Sequence, residues 1–325
     1  MLVVVCPGQG AQSPGMLAPW LELPGMDGRL GGYSAVVGQD LAAHGTTSDA
    51  ATIRDTAVAQ PLLVAAALLT FHAVFDGDLT RATGPRIDVV AGHSVGEFGA
   101  AALAGVLTED QALDLVAVRG AAMARAAATT PTSMSAVLGG DPDEVLARLA
   151  ELGLTPANVN GAGQVVAAGT FEALAALAAD PPARTRVIPL QVAGAFHTIH
   201  MAPAVDELAA RAATVTPADP RITLLSNADG AAITSGPTAL SRLVAQVANP
   251  VRWDRCQVTM QELGVTGLLE LAPAGVLTGL ARRTLPGVET VAVKTPADLD
   301  AARDLVRRHL HTGTPPTPHS QELPS

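Results

Sequence analysis

The chain has 325 residues, enough to bury a large core in one domain or in one domain with an insert. Apolar residues make up 48% of it, yet no stretch runs 18 apolar residues unbroken, so no transmembrane span is expected. A net charge of −10 argues against a nucleic-acid partner, and Cys6 and Cys256, which form no paired motif, suit a reducing cytoplasm.

Residues 2–6 read as a buried strand rather than the start of a signal peptide, because no basic segment precedes them. The strand breaks at Pro7-Gly8-Gln9-Gly10-Ala11-Gln12. This glycine-rich loop lacks the Lys-Ser/Thr of a phosphate-binding loop and the third glycine of a dinucleotide fingerprint. Its better use is to bring a backbone N–H close to a neighbouring turn. Residues 13–60 read as irregular, with short helical pieces punctuated by Pro and Gly. Gln60-Pro61 then opens a helix to residue 75, apolar nearly all round and therefore central.

Residues 86–90 form a strand and residues 97–103 a helix, and between them stands Gly92-His93-Ser94-Val95-Gly96. A G-x-S-x-G in that context is a nucleophile elbow, a tight turn that presents a serine hydroxyl at the top of a sheet. Thr108, with Glu109 and Asp110, starts a helix to about residue 127. Arg119 lies inside it among Leu115, Val116, Val118 and Met123, where a charge needs an anionic partner. From 129 to 191 the pattern becomes β-α-β-β-α-β, a ferredoxin-like arrangement inserted into the larger domain.

The main chain resumes at Val192. Helices follow near 203–213, 240–247, up to 263, 275–284 and 299–311, alternating with strands at 222–226, 267–271 and 288–293. A corner is expected at Asn249-Pro250-Val251-Arg252-Trp253. The fold class is α/β: an α/β-hydrolase-like core of mostly parallel strands over 1–128 and 192–311, the ferredoxin-like subdomain 129–191, and a disordered tail 312–325. Arg252, Arg255, Arg282, Arg283, Arg303, Arg307 and Arg308 crowd the last quarter, either as solvated charge or as a basic dock for an acidic partner.

A serine nucleophile needs a base, and the base needs a group that fixes its tautomer. Of eight histidines, His197 and His200 follow the serine in the order an α/β-hydrolase requires. The H-x-x-H spacing has no third ligand at useful distance, so no metal is expected.

The loop 7–12, the elbow 92–97, Val118-Arg119-Gly120, Ala195-Phe196-His197 and Gln246-Val247-Ala248-Asn249-Pro250-Val251 occur in that order. Together they resemble the malonyl-CoA:acyl carrier protein transacylase family, which also supplies acyltransferase domains to fatty-acid and polyketide synthases. The resemblance runs from residue 2 to about 311, and five motifs in register make it specific. It implies that Ser94 carries malonyl as an ester and that His197 is first base, then acid, oriented by the backbone carbonyl of Gln246. The N–H groups of Gln9 and Val95 would form the oxyanion hole, each typically contributing about 10²–10³ in rate. Arg119 would grip the malonyl carboxylate, and an acetyl group would leave it buried and unpaired, a mismatch of about 10⁴ in rate.

Phe196 would fill the space of an α-methyl, while Met123, Gln60 and Asn160 are further pocket candidates. Ala11, Val95 and Gly194 depart from the commoner family residues without touching the reacting atoms. The expected partners are acyl carrier protein and a coenzyme A thioester, with no cofactor, no membrane and a monomeric, cytoplasmic enzyme. Two alternatives stand beside this: a serine esterase or thioesterase on the same elbow, and a non-catalytic carrier-docking subunit.

Overall fold

The computed structural model describes residues 1–75 and 87–309. Arg86, residues 310 and 311 of the expected closing helix, and the expected tail 312–325 lie outside the described residues. The strands are β1 (Leu2–Cys6), β2 (Val89–Gly92), β3 (Thr132–Gly139), β4 (Thr155–Gly161), β5 (Gln164–Thr170), β6 (Thr185–Pro189), β7 (Thr223–Leu225), β8 (Ala232–Ile233), β9 (Val251–Arg252), β10 (Gly267–Glu270) and β11 (Glu289–Ala292). They form two sheets in a mixed α/β fold.

The larger sheet has the order β11-β10-β1-β2-β7-β8, parallel throughout except for β8, which runs antiparallel to β7. All five residues of β1 are buried, as a strand covered on both faces requires. Because β1 and β2 are neighbours with Cys6 opposite Gly92, the loop after β1 lies against the turn after β2. Ligands of open α/β sheets collect at such carboxyl ends.

The smaller sheet has the order β6-β3-β5-β4-β9, antiparallel except between β4 and β9. Side chains alternate cleanly along β5: Val165 and Ala167 join a small core of their own, whereas Val166 and Ala168 join the main core. The fifth strand, β9, comes from the chain segment expected to be only a corner. Two residues carry no periodicity, so neither β9 nor β8 is readable from sequence.

Helices α1 (Ala18–Leu21), α2 (Met26–Val37) and α3 (Leu41–Thr46) occupy the segment expected to be irregular with short helical pieces. Three glycines at 28, 31 and 32 weaken the helical signal of α2, which is held instead by buried Leu30 and Tyr33. Helix α4 (Thr56–Phe75) begins well before the expected start, leaving Pro61 inside it. Proline cannot donate to the Ala57 carbonyl, and the Gln39 Nε2 donates there instead at 3.1 Å. By length and composition α4 could cross a membrane, but it is largely buried within the fold.

The elbow leads into α5 (Gly96–Leu103), and α6 (Glu109–Thr129) starts from a capping box in which Thr108 and Gln111 exchange hydrogen bonds of 3.1 and 2.9 Å. A Cβ at Gly120 would sit 2.9 Å from the Thr56 carbonyl, so this glycine lets α6 press onto α4 and brings Arg119 beside Gln60. The smaller sheet carries α7 (Pro142–Glu151) and α8 (Phe171–Ala179). The remaining helices are α9 (Ala202–Ala212), α10 (Gly236–Ala245), α11 (Trp253–Glu262), α12 (Val276–Thr284) and α13 (Leu299–His309). Buried Glu270 accepts from the N–H groups of Gly275, Leu277 and Thr278 at 2.9, 2.9 and 2.8 Å, which fixes the start of α12.

Candidate active site

Ser94 sits on the turn between β2 and α5 with φ 53°, in the left-handed region that L residues rarely adopt. The turn is too tight for side chains at its flanks. A Cβ on Gly92 would lie 2.0 Å from the Gly96 carbonyl carbon, and one on Gly96 would lie 2.2 Å from the Cys6 carbonyl oxygen. Gly8 is likewise pressed onto the His93 carbonyl, at 2.7 Å from a would-be Cβ.

The Ser94 Oγ lies 2.7 Å from His197 Nε2, and His197 Nδ1 lies 2.8 Å from the backbone carbonyl of Gln246. A carbonyl only accepts, so Nδ1 carries the proton and Nε2 is left to accept from the serine hydroxyl. Among the described residues, no carboxylate occupies the position behind the histidine. Burial, and then the nearby Arg119 cation, hold the His197 imidazole down to about 3, so it is a neutral base at pH 7. Its loop is pinned from the smaller sheet by Thr132 Oγ1, which accepts from Ala195 N–H at 3.0 Å, and from within by Thr198 Oγ1, which donates to the Ala195 carbonyl at 2.7 Å.

Arg119 is 1% exposed. Its Nη1 donates to Gln60 Oε1 at 2.6 Å and its Nη2 to Gln246 Oε1 at 2.9 Å, and Nε has no partner among the described residues. The Phe98 ring centroid lies 5.8 Å from the guanidinium carbon. Burial pulls the Arg119 pKa down to about 10, leaving it cationic at neutrality. Both direct partners are neutral amides, so they orient the cation without cancelling it. Glu97 lies behind them, accepting from Asn227 N–H at 2.5 Å and from Gln246 Nε2. Burial pushes this carboxyl up to about 8, against the pull of those donors and of Arg119.

A cleft of about 460 Å³ gathers Gln9, Gln60, Ser94, Arg119, Met123, Asn160, Phe196 and His197 on one surface. Met123 Sδ accepts from Gln60 Nε2 at 3.4 Å, and Asn160 Oδ1 lies 2.9 Å from His93 Nε2. Val95 and Gln246 lie beneath the lining, 1% and 5% exposed. Among the described residues, neither the Gln9 nor the Val95 backbone N–H has a protein acceptor. Ser94, His197, Arg119, Gln9, Val95, Gln246, Gln60, Asn160, Met123 and Phe196 thus fall in or directly under one cleft, whereas His200, the other downstream histidine, is not among its lining residues.

Two contributions escaped sequence reasoning. Asn227, fully buried, accepts from Ser94 N–H at 2.8 Å through Oδ1 and donates to the Gly92 carbonyl at 2.8 Å through Nδ2, bracketing the serine on both sides. Its sole signal is a polar residue just past the end of a short buried strand. The side chain of Gln246 is the other, since the sequence pointed to its carbonyl alone. The arginines of the last quarter are largely engaged: Arg252 pairs with Asp254, Arg307 with Asp304 and Arg308 with Glu289, and Arg283 donates to Gln164. This pairing favours the solvated-charge reading over a basic dock.

Residues 3–304 match the acyl transferase domain family. The chain is 53% identical to malonyl CoA-acyl carrier protein transacylase of Mycobacterium tuberculosis strain H37Rv over 307 residues, covering 94% of this chain and 100% of that one. It superposes on the crystal structure of the Mycobacterium tuberculosis enzyme with TM-score 0.89 at 53% identity, covering 93% and 99% of the two chains. It also resembles a malonyl-transacylase solved in complex with its holo type II PKS acyl carrier protein, with TM-score 0.84 and 32% identity over 93% and 99% of the chains.

Proposed function

The chain belongs to the malonyl-CoA:acyl carrier protein transacylase family, and from that membership we propose that it moves a malonyl group from malonyl-CoA to the phosphopantetheine thiol of an acyl carrier protein by a ping-pong route through Ser94. The observation that carries this reading is the buried Arg119 cation, held by two neutral amides in the same cleft as the Ser94–His197 pair. An uncompensated guanidinium costs several kcal/mol to bury, and a carboxylate on the acyl group offsets that cost at the moment of binding.

In the first half-reaction Ser94 Oγ attacks the thioester carbonyl while His197 Nε2 takes the hydroxyl proton. The tetrahedral oxyanion accepts from the N–H groups of Gln9 and Val95. Collapse breaks the C–S bond, and His197 returns its proton to the leaving coenzyme A sulfur, leaving the malonyl ester on Ser94. The carrier thiol then reverses the sequence, giving its proton to His197, which passes it to the Ser94 oxygen. Thioester, ester and thioester lie close in energy, so the residues lower barriers and no cofactor is called for. Phe196 and Met123 line the acyl end of the cleft, and a methyl branch there is a difference of about 1–3 kcal/mol.

Supply to fatty-acid or polyketide carriers, action in the cytoplasm and a monomeric state belong to the same proposal. So does the division of the chain: a hydrolase-like core over 1–128 and 192–311, with 129–191 as a ferredoxin-like subdomain. The order β6-β3-β5-β4 with antiparallel neighbours supports that last reading. The carbonyl behind His197 disfavours an esterase that relies on a triad carboxylate. Intact mass after mixing with malonyl-CoA tests the whole: a malonyl adduct should form and vanish in Ser94→Ala. Free malonate released at the same rate with or without carrier would replace the transferase by a thioesterase.

A further inference from the structure

We propose that the side chain of Gln246 is a positioning residue for Arg119 and so sets the preference for a carboxylate-bearing acyl group, separately from its backbone hold on His197. The inference rests on the reading of Arg119 as the carboxylate site. Among the described residues, Gln246 is the one bonded to the base, the cation and the serine turn: its carbonyl accepts from His197 Nδ1 at 2.8 Å, its Oε1 from Arg119 Nη2 at 2.9 Å, and its Nε2 donates to the Ser94 carbonyl at 3.0 Å.

A guanidinium reads a carboxylate through two parallel N–H bonds, so the plane of the fork has to be fixed before the substrate arrives. Gln60 holds Nη1 alone and leaves that plane free to turn about one bond; the second bond, from Nη2 to Gln246, stops it. The amide is held in register by what surrounds its other end. Nε2 faces the Ser94 carbonyl, Asn227 Oδ1 at 3.2 Å and the Glu97 carboxyl, all acceptors, so Oε1 must face Arg119. Being neutral, the amide aligns the cation and leaves its charge for the substrate. A carboxylate at the same position would take that charge itself.

Gln246→Met keeps the chain length and the main-chain carbonyl and removes both polar ends, whereas Gln246→Glu keeps the acceptor and adds the charge. Acylation by malonyl-CoA and by acetyl-CoA is measured for both variants and for Arg119→Ala, with thermal unfolding to show that each is folded. Gln246→Met is expected to raise the KM for malonyl-CoA and to lower the malonyl-to-acetyl ratio of kcat/KM by about tenfold or more, with Gln246→Glu lowering it further. Combining Gln246→Met with Arg119→Ala should lower the ratio no more than Arg119→Ala alone. Should the Met variant not fold, the Glu variant supplies the same comparison. If Arg119→Ala is selective against malonyl while both Gln246 variants lose malonyl and acetyl acylation by one common factor, the side chain serves the serine turn only and the inference fails. If Arg119→Ala itself loses both equally, the carboxylate reading goes, and this inference with it.

Discussion

Ser94 and His197 each hold a left-handed backbone, φ 53° and 60°, and their side chains meet at 2.7 Å. Two residues of unfavourable conformation are thus aimed at one another, and each is braced by groups distant in sequence: Asn227 for the serine, Thr132 and Gln246 for the histidine. Strain of this kind costs roughly 1–3 kcal/mol per residue and persists only where the surroundings over-determine it.

That strain is measurable at Ser94 by comparing two substitutions that both delete the hydroxyl. Glycine accepts φ 53° without a steric cost and alanine does not. Ser94→Gly is expected to be more stable than Ser94→Ala by about 1 kcal/mol, although neither forms an acyl adduct. Urea midpoints of the two variants decide it; an alanine variant equal to or more stable than the glycine one would mean that the turn is relaxed.

The depressed His197 pKa gives a pH dependence with a definite sign. Burial and the Arg119 cation, with a smaller push from His93, hold the imidazole to about 3, against its hydrogen bond to the Gln246 carbonyl. The acid limb of kcat/KM for malonyl-CoA should therefore lie well below the unperturbed 6.5. Removing one cause in Arg119→Met should move the limb upward. For stability, the unfolded chain binds the proton first, so this group's contribution is intact above 6.5 and is lost as pH falls from there towards 3. A limb at 6.5 in the wild-type pH–rate profile would refute the burial argument.

Glycines of one chain should respond in opposite directions. Alanine at Gly92 or Gly96 drives a Cβ into backbone atoms at 2.0 and 2.2 Å, where nothing flexible can yield. Roughly 3 kcal/mol or more should be lost, read as a collapse of the urea midpoint or of soluble yield. Gly31 is exposed on α2 with nothing within 4 Å of a new Cβ, and alanine there should add about 0.5–1 kcal/mol. Equal effects at the two kinds of site would contradict the packing described.

The serine and the arginine were legible because each stands in a local pattern, a glycine-flanked turn between strand and helix and a cation on an apolar helix; chain order left His197 and His200 together, and the family resemblance at Ala195-Phe196-His197 separated them. The long helix was legible as well, but its start was not, because the compensation for Pro61 comes from Gln39 on another segment. Strand β9 depends on β4 for its identity, with Asn158 opposite Val251. Asn227 depends on Gly92 and Ser94, more than a hundred residues away. Bonds between distant segments leave no period or spacing in the chain, so Asn227 and the side chain of Gln246 were hidden while Ser94 and Arg119 were visible.

Asn227 supplies a prediction whose sign depends on pH. Its Nδ2 donates to the Gly92 carbonyl and its Oδ1 accepts from Ser94 N–H, both at 2.8 Å, in a site with no exposure to solvent and with the Glu97 carboxyl against its own N–H. Asn227→Asp preserves the shape and the acceptor but sets an oxygen against the Gly92 carbonyl. When ionised, it also buries a second negative charge beside Glu97. The deficit at pH 8 should be roughly 3 kcal/mol or more, the scale of an uncompensated buried charge. Protonation restores a donor towards Gly92, so the folded state raises this carboxyl's pKa above its unfolded value. The deficit relative to wild type is therefore smallest at low pH and grows as pH rises through the unfolded pKa to the folded one. Urea midpoints of both proteins at pH 5 and pH 8 read the difference, which includes the further upward push that the new carboxylate gives the neighbouring Glu97 carboxyl. A deficit identical at both pH values would show that the Gly92 carbonyl does not need the donor that Asn227 provides.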